Sequence, residues 1–274
     1  MAIITISRGT FSGGKALAEC VAEKLGYQCI SREILREAAI HYGVPVEALS
    51  RALNDKPGIF EGMTLAQTHY LTYIQAELIK AVKDENVVYH GLAGNFLLKD
   101  VPHLLRVRVI AGMEYRVLAA MERKNISRAE ALNLIRRIDA ERDKWVKALY
   151  HVDRHNSANY DLVINLDGMD LSAACDTICL CVARDELKAT QESRKRLEDL
   201  ILAAEVRARI AADVHIRDNH LEIDAHDGVV SLGGKVDFIA DADMAREVAL
   251  ATPGVRQIDS HMKVAPMSRG LGQF

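Results

Sequence analysis

The first seventeen residues, with Ile3-Ile4-Thr5-Ile6-Ser7-Arg8 running into Gly9-Thr10-Phe11-Ser12-Gly13-Gly14-Lys15-Ala16-Leu17, leave few choices for how this chain begins to fold. A β-branched apolar run halts at a glycine-rich loop, and an alanine- and leucine-rich helical pattern starts at once. The spacing Gly9-x4-Gly14-Lys15 fits the Walker A pattern. In that pattern glycines let successive backbone N–H groups converge on phosphate oxygens, and the lysine neutralises charge at the β- and γ-phosphates. The helix that follows adds the positive end of its dipole. Gly9, Ser12, Gly13, Gly14, Lys15 and Ala16 are therefore the expected phosphate cradle. Ala16 stands where the pattern places a hydroxyl for Mg²⁺, so that contact is missing or comes from Ser12 or Thr10. A tight turn at Gly13-Gly14 with no ligand is the alternative, and the flanking strand and helix favour the cradle.

Beyond the loop, strands and helices alternate. Leu17 to Leu25 reads as a helix stopped by Gly26, Tyr27 to Ile30 as a short strand, and Ser31 as the N-cap of a helix from Arg32 to Tyr42. Val44 to Gly62, with Pro45, Pro57 and Gly58, reads as irregular, and Thr64 to Lys83 as an amphipathic helix. Val87 to Gly91, Leu104 to Ala111 and Asp161 to Asp167 are buried-strand signals, with helices over Glu114 to Lys124, Ser127 to Tyr150 and Leu171 to Ala183. This order predicts a mainly parallel sheet covered on both faces, with a ligand at the carboxyl ends of its strands.

With 49% hydrophobic and 27% charged residues in 274, the chain can bury a substantial core in one medium domain plus an attachment, or in two domains. A net charge of -3 implies no global attraction to nucleic acid or to anionic membrane, so any anion site must come from local arginines. Charged residues interrupt every apolar run before it reaches bilayer length, and the N-terminus has no basic-then-apolar leader, so a cytoplasmic location is the expectation. The five cysteines, Cys20, Cys29, Cys175, Cys179 and Cys181, lack paired zinc spacing and read as reduced, packed thiols. His151 and His155 have i,i+4 spacing without a matching carboxylate set and read as surface residues.

The N-terminal run with Ser7-Arg8 and Ser12-Gly13-Gly14 is joined by Ser31-Arg32-Glu33-Ile34, Val88-Tyr89-His90-Gly91 and Val101 to Val109. Met121-Glu122-Arg123-Lys124 and Tyr160 to Asn165 complete the series. Together these segments resemble the cytidylate kinase-like family of P-loop proteins over roughly residues 1–184. The resemblance implies a nucleoside-monophosphate-kinase fold, an α/β parallel sheet with a monophosphate-binding segment near Arg32 to Lys83 and a helical lid near Glu114 to Tyr150. It also implies ATP as donor, Mg²⁺ as the accompanying ion, and Arg32 and Arg108 on the acceptor. Ser31 replaces an expected acidic residue, Leu92 replaces a common arginine, and no acid ends the Val87 to His90 strand as a Walker B group.

Arg116, Arg123, Arg128, Arg136, Arg137 and Arg142 crowd one helical region. Guanidinium groups suit phosphoryl transfer because they donate in a planar fork and stay charged. Most of the six also fit a solvated face balanced by Glu122, Glu130, Asp139, Glu141 and Asp143. Arg123 and Arg142 are the pair that the resemblance favours for catalysis, together with Lys15.

After the sheet the pattern changes. Asp185 to Ala212 is a charged helix suited to linking domains, residues 185–205, or to pairing two chains. His226-Asp227-Gly228 between alternating runs marks a hairpin, Asp241 to Ala251 a helix, and Val255 to Val264 a last strand. Asp227 to Val236, with Ala245 and Pro253-Gly254-Val255, resembles the BON domain, a small α+β module expected over 206–265 and followed by a tail, 266–274. The resemblance implies assembly, as a homo-oligomer or with a protein or membrane surface, and no catalytic residues. Two functions stay open: an ATP-dependent kinase of nucleoside monophosphates, a pyrimidine such as CMP by resemblance, or a nucleotide-binding regulator of weak or no activity.

Overall fold

A computed structural model describes residues 2–54, 64–91, 93–213, 215–216 and 220–264. Leu92, the later part of the section read as irregular, and the 266–274 tail lie outside the described residues. The chain divides into two compact units after Ser193.

In the first unit β1 (Ile3–Arg8) occupies the centre of a five-stranded sheet of order β2-β3-β1-β4-β5, where β2 is Gln28–Ile30, β3 Val87–Tyr89, β4 Leu104–Ile110 and β5 Leu162–Asn165. Every pairing is parallel. From β1 the chain passes to the edge strand β2, returns to β3, and then crosses to β4 on the other side of β1. The carboxyl end of β1 is thus the switch point of the sheet, where an open α/β sheet places its ligand.

One sheet face is sealed by Ile4, Ile6, Val88, Val107, Val109 and Ile164 against Leu17, Ala18 and Val21 of α1 (Gly14–Leu25) and Ala174, Cys175 and Ile178. The alternation along each strand aims these residues at one side, and near-complete exclusion from water contributes about 1.5–3 kcal/mol for each large aliphatic side chain. Of the six α-helices described between β2 and β5, five come first. These are α2 (Glu33–Tyr42), α3 (Val46–Asn54), α4 (Leu65–Ala81), the short α5 (Gly94–Leu97) and α6 (Met113–Lys124). They are joined by α7 (Arg128–Tyr150), and α8 (Leu171–Val182) closes the unit. Ser127 and Glu130 close a capping box that fixes the start of α7. Near its other end Trp145 is buried and donates its indole N–H to Ala52 O at 3.1 Å, tying α7 to α3.

Two readings change here. Arg32, not Ser31, caps α2, because the Ser31 N–H instead donates to Glu33 Oε2 at 2.7 Å. Val46–Asn54 is helical although the section was read as irregular, since Pro45 precedes the first turn and does not interrupt it. Cys175 is buried and the other four thiols partly so, and all five are free.

In the second unit α9 (Gln191–Ala212) supplies Ala203, Val206 and Ile210 to a core shared with Leu221, Ala225, Val230, Leu232 and Ala245. The segment read as a linker thus begins with a 3₁₀ turn at Asp185–Leu187, and its helix forms part of a packed module. Strands β6 (His220–His226) and β7 (Val229–Val236) form the expected antiparallel hairpin, joined by Asp227 and Gly228, both at positive φ. Helix α10 (Ile239–Leu250) follows, and β8 (Gln257–Ser260) and β9 (Lys263–Val264) both pair with β7 in parallel. No described helix is long and apolar enough to cross a membrane.

Candidate functional site

The loop after β1 is held open from below. Gly9 N–H continues the sheet by donating to Val109 O at 3.2 Å, and Ser12 turns its hydroxyl inward to Gly9 O at 3.0 Å. Gly13 caps α1 in the left-handed region at φ 83, and no side chain caps that helix. The first N–H groups of α1 therefore face the concavity of the loop, as an anion site requires. A side chain at Gly13 would meet Leu166 Cδ1 at 2.9 Å, and one at Gly14 would meet Arg8 Cβ at 2.7 Å. Glycine at both positions lets the backbone fill space that a side chain would take.

Lys15 lies on the α1 surface, 3.4 Å from Glu19 Oε1 and largely exposed. A surface pair of this kind contributes on the order of 0–1 kcal/mol, so a polyanion in the loop can recruit the ammonium at little cost. We expect Lys15→Ala to weaken ATP binding by at least about tenfold in calorimetry, the scale of one lost charge-assisted contact. Equal affinities would remove the loop from the phosphate site.

From above, the lid closes on Thr10. Its hydroxyl donates to Asp139 Oδ1 at 2.7 Å and accepts from Arg142 Nη1 at 3.2 Å, while its carbonyl accepts from Arg116 Nε at 2.7 Å. Asp139 in turn pairs with Arg116 and lies 3.6 Å from Arg154, which also pairs with Asp143. Desolvation opposes the charge on Asp139, but its bonds to Thr10 and Arg116 hold its carboxyl below the ordinary 3.8.

Arginine accumulates at this end of the sheet. Arg108 is 4% exposed, donates to Ser7 Oγ at 3.1 Å and stacks over the Tyr160 ring at 5.7 Å. Arg154 is 5% exposed. Burial, then repulsion from Arg8 and Arg154, pushes Arg142 down to about 10. Burial also lowers Arg8, aided by the charges of Arg32 and Arg123, and lowers Arg108. Cations crowded together and partly withdrawn from water call for an anion. An outer cavity of about 70 Å³ opens beside them, walled by Arg8, Arg32, Arg142, Ser31 and the apolar Ile34, Leu53 and Tyr89.

Of the residues singled out in the sequence, Gly9, Ser12, Gly13, Gly14 and Ala16 lie in the loop and turn at the start of α1, while Arg32 and Arg142 share the outer cavity. Arg108 does not line that cavity and is buried against Ser7. Arg123 is exposed near the end of α6, close enough for its charge to act on Arg8. Arg136 and Arg137 face solvent. Ser12 and Thr10, the alternatives to Ala16 for a metal contact, both have their hydroxyls engaged within the protein. Sequence reasoning missed the site roles of Arg8, Arg116, Asp139 and Arg154. Arg8 was legible as the last strand residue before the loop, whereas Arg154 returns to the site only because α7 ends at His151 in the left-handed region.

The profile of the cytidylate kinase-like family matches residues 3–168, more than half of the chain. The chain belongs to the cytidylate kinase-like family. Among relatives of this family, a cytidylate kinase of Archaeoglobus fulgidus is 29% identical over 194 residues, 69% of this chain and 99% of that protein. A crystal structure of an uncharacterized protein from Eubacterium ventriosum shares the fold, with a TM-score of 0.51 and 21% identity over 67% of this chain and 100% of that one. Residues 198–266 match the BON domain, and osmotically-inducible protein Y of Escherichia coli is 34% identical over 65 residues, 24% of this chain and 32% of that protein. The cytidylate kinase-like unit thus precedes a BON module.

Proposed function

We propose that the protein transfers the γ-phosphoryl group of ATP to a nucleoside monophosphate, with a pyrimidine, CMP first, as acceptor. The observation that carries this reading is the meeting of an uncapped glycine loop with Arg8, Arg108, Arg142 and Arg154 beneath one lid. Phosphoryl transfer needs two phosphates aligned and the charge of the moving group stabilised, and both parts are present in one place. The family and its cytidylate kinase relatives support the acceptor class.

In this reading the loop amides of Gly13, Gly14 and Lys15 hold the triphosphate, and Lys15 leaves Glu19 to neutralise it. Arg142, anchored on Thr10, and Arg123 stabilise the transferred group, while Arg32 and Arg108 bind and orient the acceptor. The residues present fit a triphosphate better than they fit a metal. Ala16 has no donor, the Thr10 and Ser12 hydroxyls are engaged, and the described residues contain no cluster of three or more His, Cys, Asp or Glu placed to hold an ion. When bound, Mg²⁺ would supply charge neutralisation on phosphate oxygens, a role it fills elsewhere while keeping several waters. The BON module serves assembly or localisation, and the protein works in the cytoplasm.

The lack of an acid after β3 and the resting pair of Lys15 with Glu19 favour a second reading, a regulator that binds nucleotide without turning it over. A coupled ADP-release assay across all nucleoside monophosphates, with Mg²⁺ or Mn²⁺, separates the two. Release with at least one pyrimidine monophosphate is expected, and its absence with every acceptor would leave the regulator.

A further inference from the structure

Phe11 stands in the loop with a backbone that its residue type disfavours. Its φ is 59, in the left-handed region where the Cβ of any residue but glycine crowds the following carbonyl, and for a bulky side chain such a value is an outlier. The turn around it is well made. Both the N–H and the hydroxyl of Ser12 donate to Gly9 O, at 3.2 and 3.0 Å, which makes Phe11 the third residue of a four-residue turn, a position that takes positive φ when it is glycine or asparagine. Strain of this kind persists only where the surroundings over-determine it.

What holds Phe11 is the lid. Val117 and Ala120 of α6 and Ala131 and Ile135 of α7 form a small buried core of their own, and Phe11 packs against it beside Met121, Ile126 and Leu132. Every other member of that cluster lies between Val117 and Ile135, so among the described residues Phe11 alone comes to it from outside the lid. The neighbouring Thr10 is tied to the same two helices by polar contacts, its N–H and hydroxyl on Asp139 and its carbonyl on Arg116. The loop is thus fastened to the lid twice, and the apolar fastening coincides with the strained residue.

We propose that Phe11 is a positioning residue that couples the phosphate loop to the lid. Packed in the α6–α7 core, it holds the Gly9 to Ser12 turn in the strained form from which the amides of Gly13, Gly14 and Lys15 meet a triphosphate. When the lid lifts and Phe11 leaves that core, nothing offsets the strain and the turn relaxes. A triphosphate that needs the strained turn therefore favours the closed lid, and the closed lid favours the triphosphate by the same factor. This coupling needs the loop to bind a triphosphate, as in the reading above, and does not need the phosphate to be transferred.

The test titrates the full chain and its variants with a non-hydrolysable ATP analogue by calorimetry, and follows amide hydrogen exchange in α6 and α7 with and without that analogue. In the parent the analogue is expected to slow exchange in both helices. Phe11→Ala keeps the strained φ and loses the packing, so affinity should fall about tenfold, the scale of one uncompensated left-handed residue, and the slowing should disappear. Phe11→Gly frees the turn of strain. It should bind the analogue within about threefold of the parent, yet give no slowing in the lid. Phe11→Leu keeps an apolar side chain for the core and should follow the parent in both measurements. On the lid side, Leu132→Ala should weaken the analogue about threefold in the parent and leave the affinity of Phe11→Gly unchanged.

A Phe11 that only fills space would give the opposite order, since glycine adds chain freedom to the lost packing and would bind more weakly than alanine. That order, lid exchange unaltered by the analogue in the parent, or slowing retained in Phe11→Gly would each overturn the coupling. Should Phe11→Ala not fold, Phe11→Gly and Phe11→Leu decide the matter, and equal slowing in the two overturns it. A parent that shows the coupling but releases no ADP with any monophosphate sustains it and removes the kinase reading, whereas ADP release without any response of the lid does the reverse.

Discussion

Replacing Arg142 by methionine is expected to lower kcat with the preferred monophosphate by about a thousandfold, the range seen when one charged stabiliser of a transferring group is removed. Methionine keeps much of the length and apolar stem of arginine, so the packing of α7 is retained while the charge is lost. ATP affinity should change far less than turnover, because negative charge on the moving group peaks in the transition state. The fold should tolerate the change. Arg142 is held down to about 10 by burial and by Arg8 and Arg154, so its removal relieves repulsion. Steady-state kinetics with direct ATP binding checks this. A loss of ATP affinity equal to the loss of kcat would make Arg142 a donor-binding residue instead.

Asp139→Asn is expected to cost stability on the order of 3 kcal/mol, the scale for removing one partner of a buried ion pair. Asp139 has three attachments, Thr10, Arg116 and Arg154, and asparagine keeps at most the hydrogen bonds while leaving the partly buried Arg116 without its counter-charge and the buried Arg154 with Asp143 alone. The pH dependence supplies a second signature. Although desolvation raises the carboxyl, Thr10 and Arg116 outweigh it and its folded value lies below 3.8. Its contribution is therefore complete above the unfolded value and is lost as pH falls through the folded one. Denaturant titrations of the parent should show stability declining from about pH 4 downward with a steeper slope than in the variant. Parallel slopes would show that Asp139 carries no such charge. The same variant should loosen the lid from Thr10 and reduce turnover, since Arg142 loses its shared anchor.

Much of the first unit was legible because its signals are local. The β1 run, the glycine spacing and the capping residues at Ser127 and Glu130 each act within a few positions, so the strand, the loop and α7 could be placed from sequence. The Asp-Gly turn of the second unit is local in the same way. The arginine chamber was less legible because it is assembled by topology. Arg8 ends β1, Arg108 lies on β4, and Arg142 and Arg154 fall on either side of the end of α7, so only the parallel register and the left-handed turn at His151 bring them together. Among six lid arginines, spacing alone did not separate the partly buried Arg142 from the exposed Arg136 and Arg137, since Arg136 and Arg142 each lie three residues from Asp139 and Arg137 lies four from Glu141; only the family resemblance favoured Arg142.

The most direct test of the phosphoryl-transfer account follows the group itself. ATP labelled at the γ-phosphate is mixed with the parent protein and CMP, and the products are separated after a single turnover. The account predicts label in CDP, appearing at the rate at which ADP forms and about a thousandfold more slowly when Arg142 is replaced by methionine. Label found only in inorganic phosphate, or retained in ATP with CMP, UMP and the remaining monophosphates alike, would contradict it.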